Sequence, residues 1–172
     1  MFKGLQMQST LADTGTLEVA LAEMELPAPA EHEVTIRVEA APINPSDLGV
    51  LFGPADVSLA QTTGEGNASL LSAPVPLQWL PRFKGRIGKA LPVGNEGAGV
   101  VVAARSSDAA QPLLGKTVTM VGGMMYRTHR VLKARDALPL PEGAAPAEGA
   151  ALFVNPMTVQ GFLNTMEREG HS

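Results

Sequence analysis

The sequence predicts a mainly β domain, a barrel or a sandwich, that finishes in helices. Several stretches alternate apolar and polar residues with the two-residue period of a half-buried strand, and glycine or proline punctuates them at short intervals. Apolar spacing turns helical only beyond Pro141. The clearest strand is HEVTIRVEA, where Val34, Ile36 and Val38 alternate with Thr35, Arg37 and Glu39. TLEVALAEMEL supports either a strand or a short helix, ended in both cases by Pro27 and Pro29. GAGVVVAA is a β-branched run, GKTVTMVGG alternates between glycine brackets, and YRTHRVLKA reads as one more strand.

Residues 53 to 92 break this pattern, with little periodicity and many breakers; connections this long carry function or are mobile. Trp79, Leu80 and Phe83 within them can pack over an opening. Arg82, Lys84, Arg86 and Lys89 form a basic cluster that is either a solvated loop or a contact for an anionic group. From Pro141 the reading is helix: PAEGAALFV, then NPMTVQGFLNTMEREG. Asn155 is the expected N-cap, Pro156 the first helical residue, Val159, Phe162, Leu163 and Met166 one apolar face, and Gly170 the stop.

Composition narrows the function. The 172 residues suit one domain, and 45% apolar content closes a core without staples. With no cysteine there is no disulfide framework, no thiolate nucleophile and no Cys-ligated zinc. A net charge of -4 and 4% aromatics give neither the basic field nor the stacking platform that nucleic acid needs. The first fifteen residues lack a continuous apolar segment, so a secretory signal is unsupported. Pro146, Glu148, Asn155, Pro156 and Asn164 interrupt the apolar C-terminal region, so no membrane span is expected and the expected compartment is the cytoplasm.

PVGNEGAGVVVA, residues 92 to 103, begins like a phosphate-binding loop. A dinucleotide fingerprint places its glycines after a strand and ahead of a helix, whereas Gly97 and Gly99 precede a strand and no helical period follows. Its interest lies in Asn95 and Glu96. Asp47 and Asn44 in INPSD suit an Asx-turn or a cap, and Glu96 suits the amides around the glycine turn. Thr158 lies in the first turn of the last helix, where exposed amides and the positive dipole end favour a cofactor's polar or anionic groups. His32, His129 and His171 pair with no serine or metal partner, so a hydrolase triad is unsupported. Tyr126, the only tyrosine, is read as a strand anchor.

VEAAPINPSD, PVGNEGAGVV, GKTVTMVGGMMYRTHRVL and ALFVNPMTVQGFL occur in this order across nearly the whole chain. In that order they resemble the N-terminal, GroES-like domain of the medium-chain dehydrogenases and reductases, in the zinc-independent quinone oxidoreductase and enoyl reductase branch. The resemblance implies a partly open GroES-like β-barrel over residues 1–143, with the 53–92 segment as an insertion. Residues 144–172 become a helical connection toward a Rossmann domain that this chain lacks.

In zinc-dependent members a Cys stands two residues before the Ser-Asp pair, a His before the Glu of the glycine turn, and a second Cys four residues before the Thr. Those places hold Asn44, Asn95 and Val154 here, a set unable to build a tetrahedral zinc site. Asp47, Glu96 and Thr158 match the family pattern, and Thr158 is implied to face the nicotinamide of NADPH, with Asn155 beside it. The implied activity is hydride transfer to a quinone or enone, with Asn44, Asp47, Asn95 and Glu96 forming the catalytic cluster and most of the cofactor bound by the absent domain. The fragment alone is expected to be inactive, and a homodimer of the complete protein is in keeping with the family. The tyrosine that some enoyl reductases carry just beyond INPSD is missing from LGVLFGPADV, which favours a quinone over an enoyl thioester. A stand-alone GroES-like interaction module is the remaining alternative.

Overall fold

A computed structural model describes residues 2–171. Two antiparallel five-stranded sheets form the body. The strands are β1 (Phe2–Leu11), β2 (Thr16–Leu26), β3 (Glu33–Ala40), β4 (Gln61–Thr63), β5 (Leu70–Pro74), β6 (Ala90–Pro92), β7 (Glu96–Ala104), β8 (Thr117–Val121), β9 (His129–Lys133) and β10 (Leu138–Pro139). The helices are α1 (Pro45–Leu51), α2 (Pro146–Gly149) and α3 (Val154–Glu169). One sheet runs β4-β5-β2-β1-β6 and the other β10-β8-β7-β3-β9. The mainly β expectation with a C-terminal helix holds, and the sheets do not close into a barrel.

The two sheets are joined through residues 126–128. There Met7 N–H donates to the Tyr126 carbonyl (2.8 Å), Thr128 N–H to the Leu5 carbonyl (2.9 Å), and Val38 N–H to the Thr128 carbonyl (2.9 Å). The Tyr126 segment therefore sits at the seam where β1 of one sheet meets β3 of the other.

Each sheet has its own apolar cluster. Val34, Ile36, Val101, Val118, Met120 and Met125 anchor the larger one, and Leu11, Leu17 and Val75 the smaller. Each fully buried aliphatic side chain contributes about 1.5–3 kcal/mol. The alternation of β3 is only partly realised, because Thr35 is buried as completely as its neighbours Val34 and Ile36. This strand lies between β7 and β9, and its pairing with β7 slips at Thr35/Ile36 and again at Val38/Ala40, which upsets a strict two-face pattern.

Three elements depart from expectation. β1 and β2 form a long hairpin paired from Phe2↔Leu26 to Leu11↔Leu17, which settles TLEVALAEMEL as strand and adds a first strand that periodicity did not reveal. The 53–92 segment is ordered: β5 pairs with β2, β4 with β5, and β6 with β1. Its Leu80 and Phe83 pack on Leu11, Leu17 and Val75, whereas Trp79 stays exposed beneath Arg82, whose guanidinium lies 4.6 Å from the ring centre. Short strands of three to five residues leave too few repeats for a period to register. Finally, α3 begins at Val154 with Phe153 in the cap position, so Asn155 is inside the first turn and is not the N-cap. Gly170 ends α3 in the left-handed region (φ 71°), as expected.

Gly99 faces β3 so closely that a Cβ there would run into the Arg37 carbonyl. Gly99→Ala is expected to lower stability by about 1–3 kcal/mol in denaturant unfolding. Gly85→Ala, where a Cβ meets nothing within 4 Å, should leave the midpoint nearly unchanged.

Candidate active site

Four of the sequence-selected residues, the buried Asn44, Asp47 and Glu96 and the exposed Asn155, converge on one hydrogen-bonded cluster built from the start of α1, the start of β7 and the start of α3. Glu96, fully buried, opens β7 and is its centre. Its Oε1 accepts from Asn44 Nδ2 (3.1 Å), and its Oε2 accepts from the backbone N–H groups of Phe153 (2.8 Å) and Val154 (3.1 Å). The carboxylate thereby caps α3 from another strand, supplying both the acceptor and the negative charge that a helix N-terminus favours. No local side chain caps α3 because this remote one does so. Asn155, freed from capping, donates from Nδ2 to Asn44 Oδ1 at 3.4 Å.

Asn44 and Asp47 are each 1% exposed. Asn44 is the cap of α1, Pro45 is suited to its first position, and Asp47 Oδ2 reaches back to accept from Asn44 N–H (2.9 Å). The capping role expected for Asp47 is present. Its other oxygen, Oδ1, is buried without a partner. Asn95 donates from Nδ2 to Ser46 Oγ (2.7 Å), while its backbone carbonyl accepts from the N–H groups of Gly122 (3.0 Å) and Gly123 (3.1 Å).

Tyr126 is the residue that sequence reasoning undervalued. Its hydroxyl donates toward the Pro42 carbonyl (2.8 Å) and lies 3.2 Å from Asp47 Oδ2, so it holds the INPSD loop as well as a strand. Burial, reinforced by the Asp47 charge and hydrogen bond, pushes the phenol above its usual range. The ring is set by a tight crossing of chains, where Tyr126 N–H bonds the Val93 carbonyl and Met125 N–H the Gly94 carbonyl. Gly94 must be glycine there: its φ is +95°, and a Cβ would lie 2.7 Å from the Tyr126 ring and backbone nitrogen. The available signal was the lone tyrosine following VGGMM in the sequence.

Thr158 is exposed, and its hydroxyl donates to the Val154 carbonyl (2.6 Å), so it faces outward with only its acceptor capacity free. The α3 amides expected to attract a cofactor anion are partly spent, because Glu96 occupies those of Phe153 and Val154. Thr158 and Asn155 still offer neutral polar groups on an open first turn, which suits an uncharged carboxamide better than a phosphate. Within the basic cluster, Arg86 is engaged by the protein itself. Arg86 donates to Ser9 Oγ (2.7 Å) and the Val50 carbonyl, tying the end of α1 to β1. His129 lies half-buried against Phe2, ring centres 5.4 Å apart, and burial with the nearby Arg37 charge lowers its pKa. Among the described residues no group of three or more His, Asp or Glu is placed to hold a metal ion, and no helix is long and apolar enough to cross a membrane.

No family model matches the chain. It is 29% identical over 151 residues to the mitochondrial enoyl-[acyl-carrier-protein] reductase of Mus musculus, covering 87% of this chain and 33% of that protein. A protein from Mesorhizobium loti assigned as an NADPH:quinone reductase superposes with a TM-score of 0.62 at 22% identity, over 98% of this chain and 45% of its own. The complex of Etr1p with NADP and crotonyl-CoA superposes at 0.59 and 21%, over 93% and 43%. The fold is thus the one these structures show over part of their length, in keeping with the sequence resemblance to the N-terminal, GroES-like portion of medium-chain dehydrogenases and reductases. The chain spans about a third of the mouse relative and under half of these structures.

Because the chain has one tyrosine, ultraviolet titration reads Tyr126 alone. Its folded pKa is raised above the ordinary 10.0, so the stability it contributes is present below pH 10 and is lost as pH climbs beyond it. Phenolate absorbance is expected only as the protein unfolds in alkali; a midpoint near 10 in the folded chain would contradict the geometry.

Proposed function

We propose that this chain is the substrate-binding, catalytic part of an NADPH-dependent reductase that passes hydride to a quinone or conjugated carbonyl without zinc. Residues 1–143 form the catalytic body, and 144–172 lead toward a nucleotide-binding domain. The observation that carries the proposal is the pinned pair of carboxamides. Asn44 Nδ2 is held by Glu96 and Asn95 Nδ2 by Ser46, and each amide nitrogen retains a second hydrogen. Two fixed neutral donors beside an open helix turn suit an acceptor oxygen that gains negative charge during reduction.

NADPH, when bound, supplies the hydride. Asn44 and Asn95 hold the acceptor oxygen, Glu96 fixes Asn44 and the start of α3, Asp47 with Tyr126 fixes the loop before α1, and Thr158 with Asn155 meets the nicotinamide side. Both carboxamides offer N–H toward their neighbours, and Val154 offers no ligand, which supports the zinc-independent reading. A quinone is preferred because the loop after INPSD has no tyrosine and the Tyr126 proton is engaged with Pro42 and Asp47, whereas a quinone draws its protons from solvent. The enoyl thioester reading is favoured by the mouse relative and the crotonyl-CoA complex.

The complete gene product should oxidise NADPH with 1,4-naphthoquinone, and Asn44→Ala should lower kcat about 10²–10³-fold while circular dichroism is retained. Oxidation with a crotonyl thioester alone would select the second reading; oxidation with neither would end the proposal. Residues 1–172 by themselves are expected to show no turnover.

A further inference from the structure

An apolar cavity of about 400 Å³ lies beside the catalytic cluster and is not used by the mechanism above. Its floor belongs to the first sheet, where Val19 of β2 pairs with Leu71 of β5 and Leu71 with Thr62 of β4, while Leu21 pairs with Met7 in the adjacent strand. All of these side chains line it. The lining also includes Ile43, Leu51 and Phe52, which bracket Asn44 and Asp47 in sequence, together with Tyr126. No charged residue contributes to the lining; its polar members are Thr62, Ser69 and Tyr126.

Two features tie the cavity to the site. Tyr126 belongs to both, because its side chain lines the cavity while its hydroxyl reaches Asp47 and Pro42. Ile43, the residue immediately before Asn44, is 73% exposed, an unusual state for an isoleucine with an apolar cavity at its side. Thr62, Ser69 and Leu71 of this lining come from the 53–92 segment, so that insertion completes one side of the space. A lining without cations gives no hold to phosphate or carboxylate, and a space of this size and polarity suits a lipophilic group.

We propose that this cavity receives an uncharged alkyl chain carried by the conjugated carbonyl substrate, so that the insertion selects lipophilic acceptors. The inference rests on the reductase reading for the identity of the occupant. With the carbonyl oxygen at Asn44 and Asn95, a chain on the same molecule passes Ile43 and Tyr126 into the cavity.

The test uses the complete gene product and two readouts. Binding of straight 2-alkanones, from six carbons upward, is measured by displacement of N-phenyl-1-naphthylamine. In parallel, kcat/KM is measured for 2-alkyl-1,4-naphthoquinones of the same chain lengths. Affinity is expected to rise about fourfold per added methylene until the cavity is full. Ser69→Phe should end that rise at a shorter chain, Leu71→Ala should extend it, and the ratio of long-chain to short-chain kcat/KM should move in the same two directions. The opposed signs guard against a variant that merely folds poorly. A chain-length dependence identical in all three proteins would overturn the inference, as would alkanone binding that shifts while the kcat/KM ratio does not. If no acceptor is reduced, the reductase reading falls; alkanone binding that follows the two substitutions would still assign the cavity to an alkyl chain, and binding indifferent to them would overturn that too.

Discussion

The buried carboxylate of Glu96 is the constraint on which the site depends. A charge removed from water is tolerated only when its oxygens are hydrogen-bonded, and this one receives three N–H donors from two segments distant in sequence. Satisfying it obliges the loop before α1, the start of β7 and the start of α3 to meet. The arrangement works in both directions. The charge is accommodated by the positive end of α3, and the helix gains an acceptor for amides that no neighbouring side chain caps.

From that contact the rest of the site follows. Glu96 also fixes the Asn44 carboxamide, so the orientation of that side chain is set by the same contact that holds α3. Asp47 and Tyr126 brace the same loop from the other side, and the glycine at position 94 exists to let Tyr126 approach. The 53–92 segment extends the first sheet through β5, so that an apolar wall stands next to the polar cluster.

Much of the fold was legible in the sequence because β3, β7, β8 and β9 carry strong local signals: β-branched runs, alternation and glycine brackets. The first strand was not, since FKGLQMQSTL mixes Gly, Gln and Ser with its apolar residues and is stabilised by pairing along its whole length with β2. Strands β4, β5 and β6 were invisible for a different reason, being too short for periodicity, with β5 and β6 held by strands far away in sequence. At the site, Asn44, Asp47, Asn95 and Glu96 were found through motif order, but what they do to one another was not. Asn155 shows why: its sequence reads as a cap, and the cap is supplied by a residue 58 positions from Val154 that no local rule can see. Tyr126 was read only as a strand anchor because its other partners, Pro42 and Asp47, lie about eighty residues away.

Whether Glu96 holds the start of α3 is read from amide hydrogen exchange at Phe153 and Val154 in wild type and Glu96→Ala. Loss of a charge-assisted acceptor predicts exchange about 10- to 100-fold faster at those two amides, with amides in the middle of β2, remote from the contact, unchanged. Equal exchange at Phe153 and Val154 in the two proteins would contradict the account, because α3 would then begin where it does without the carboxylate.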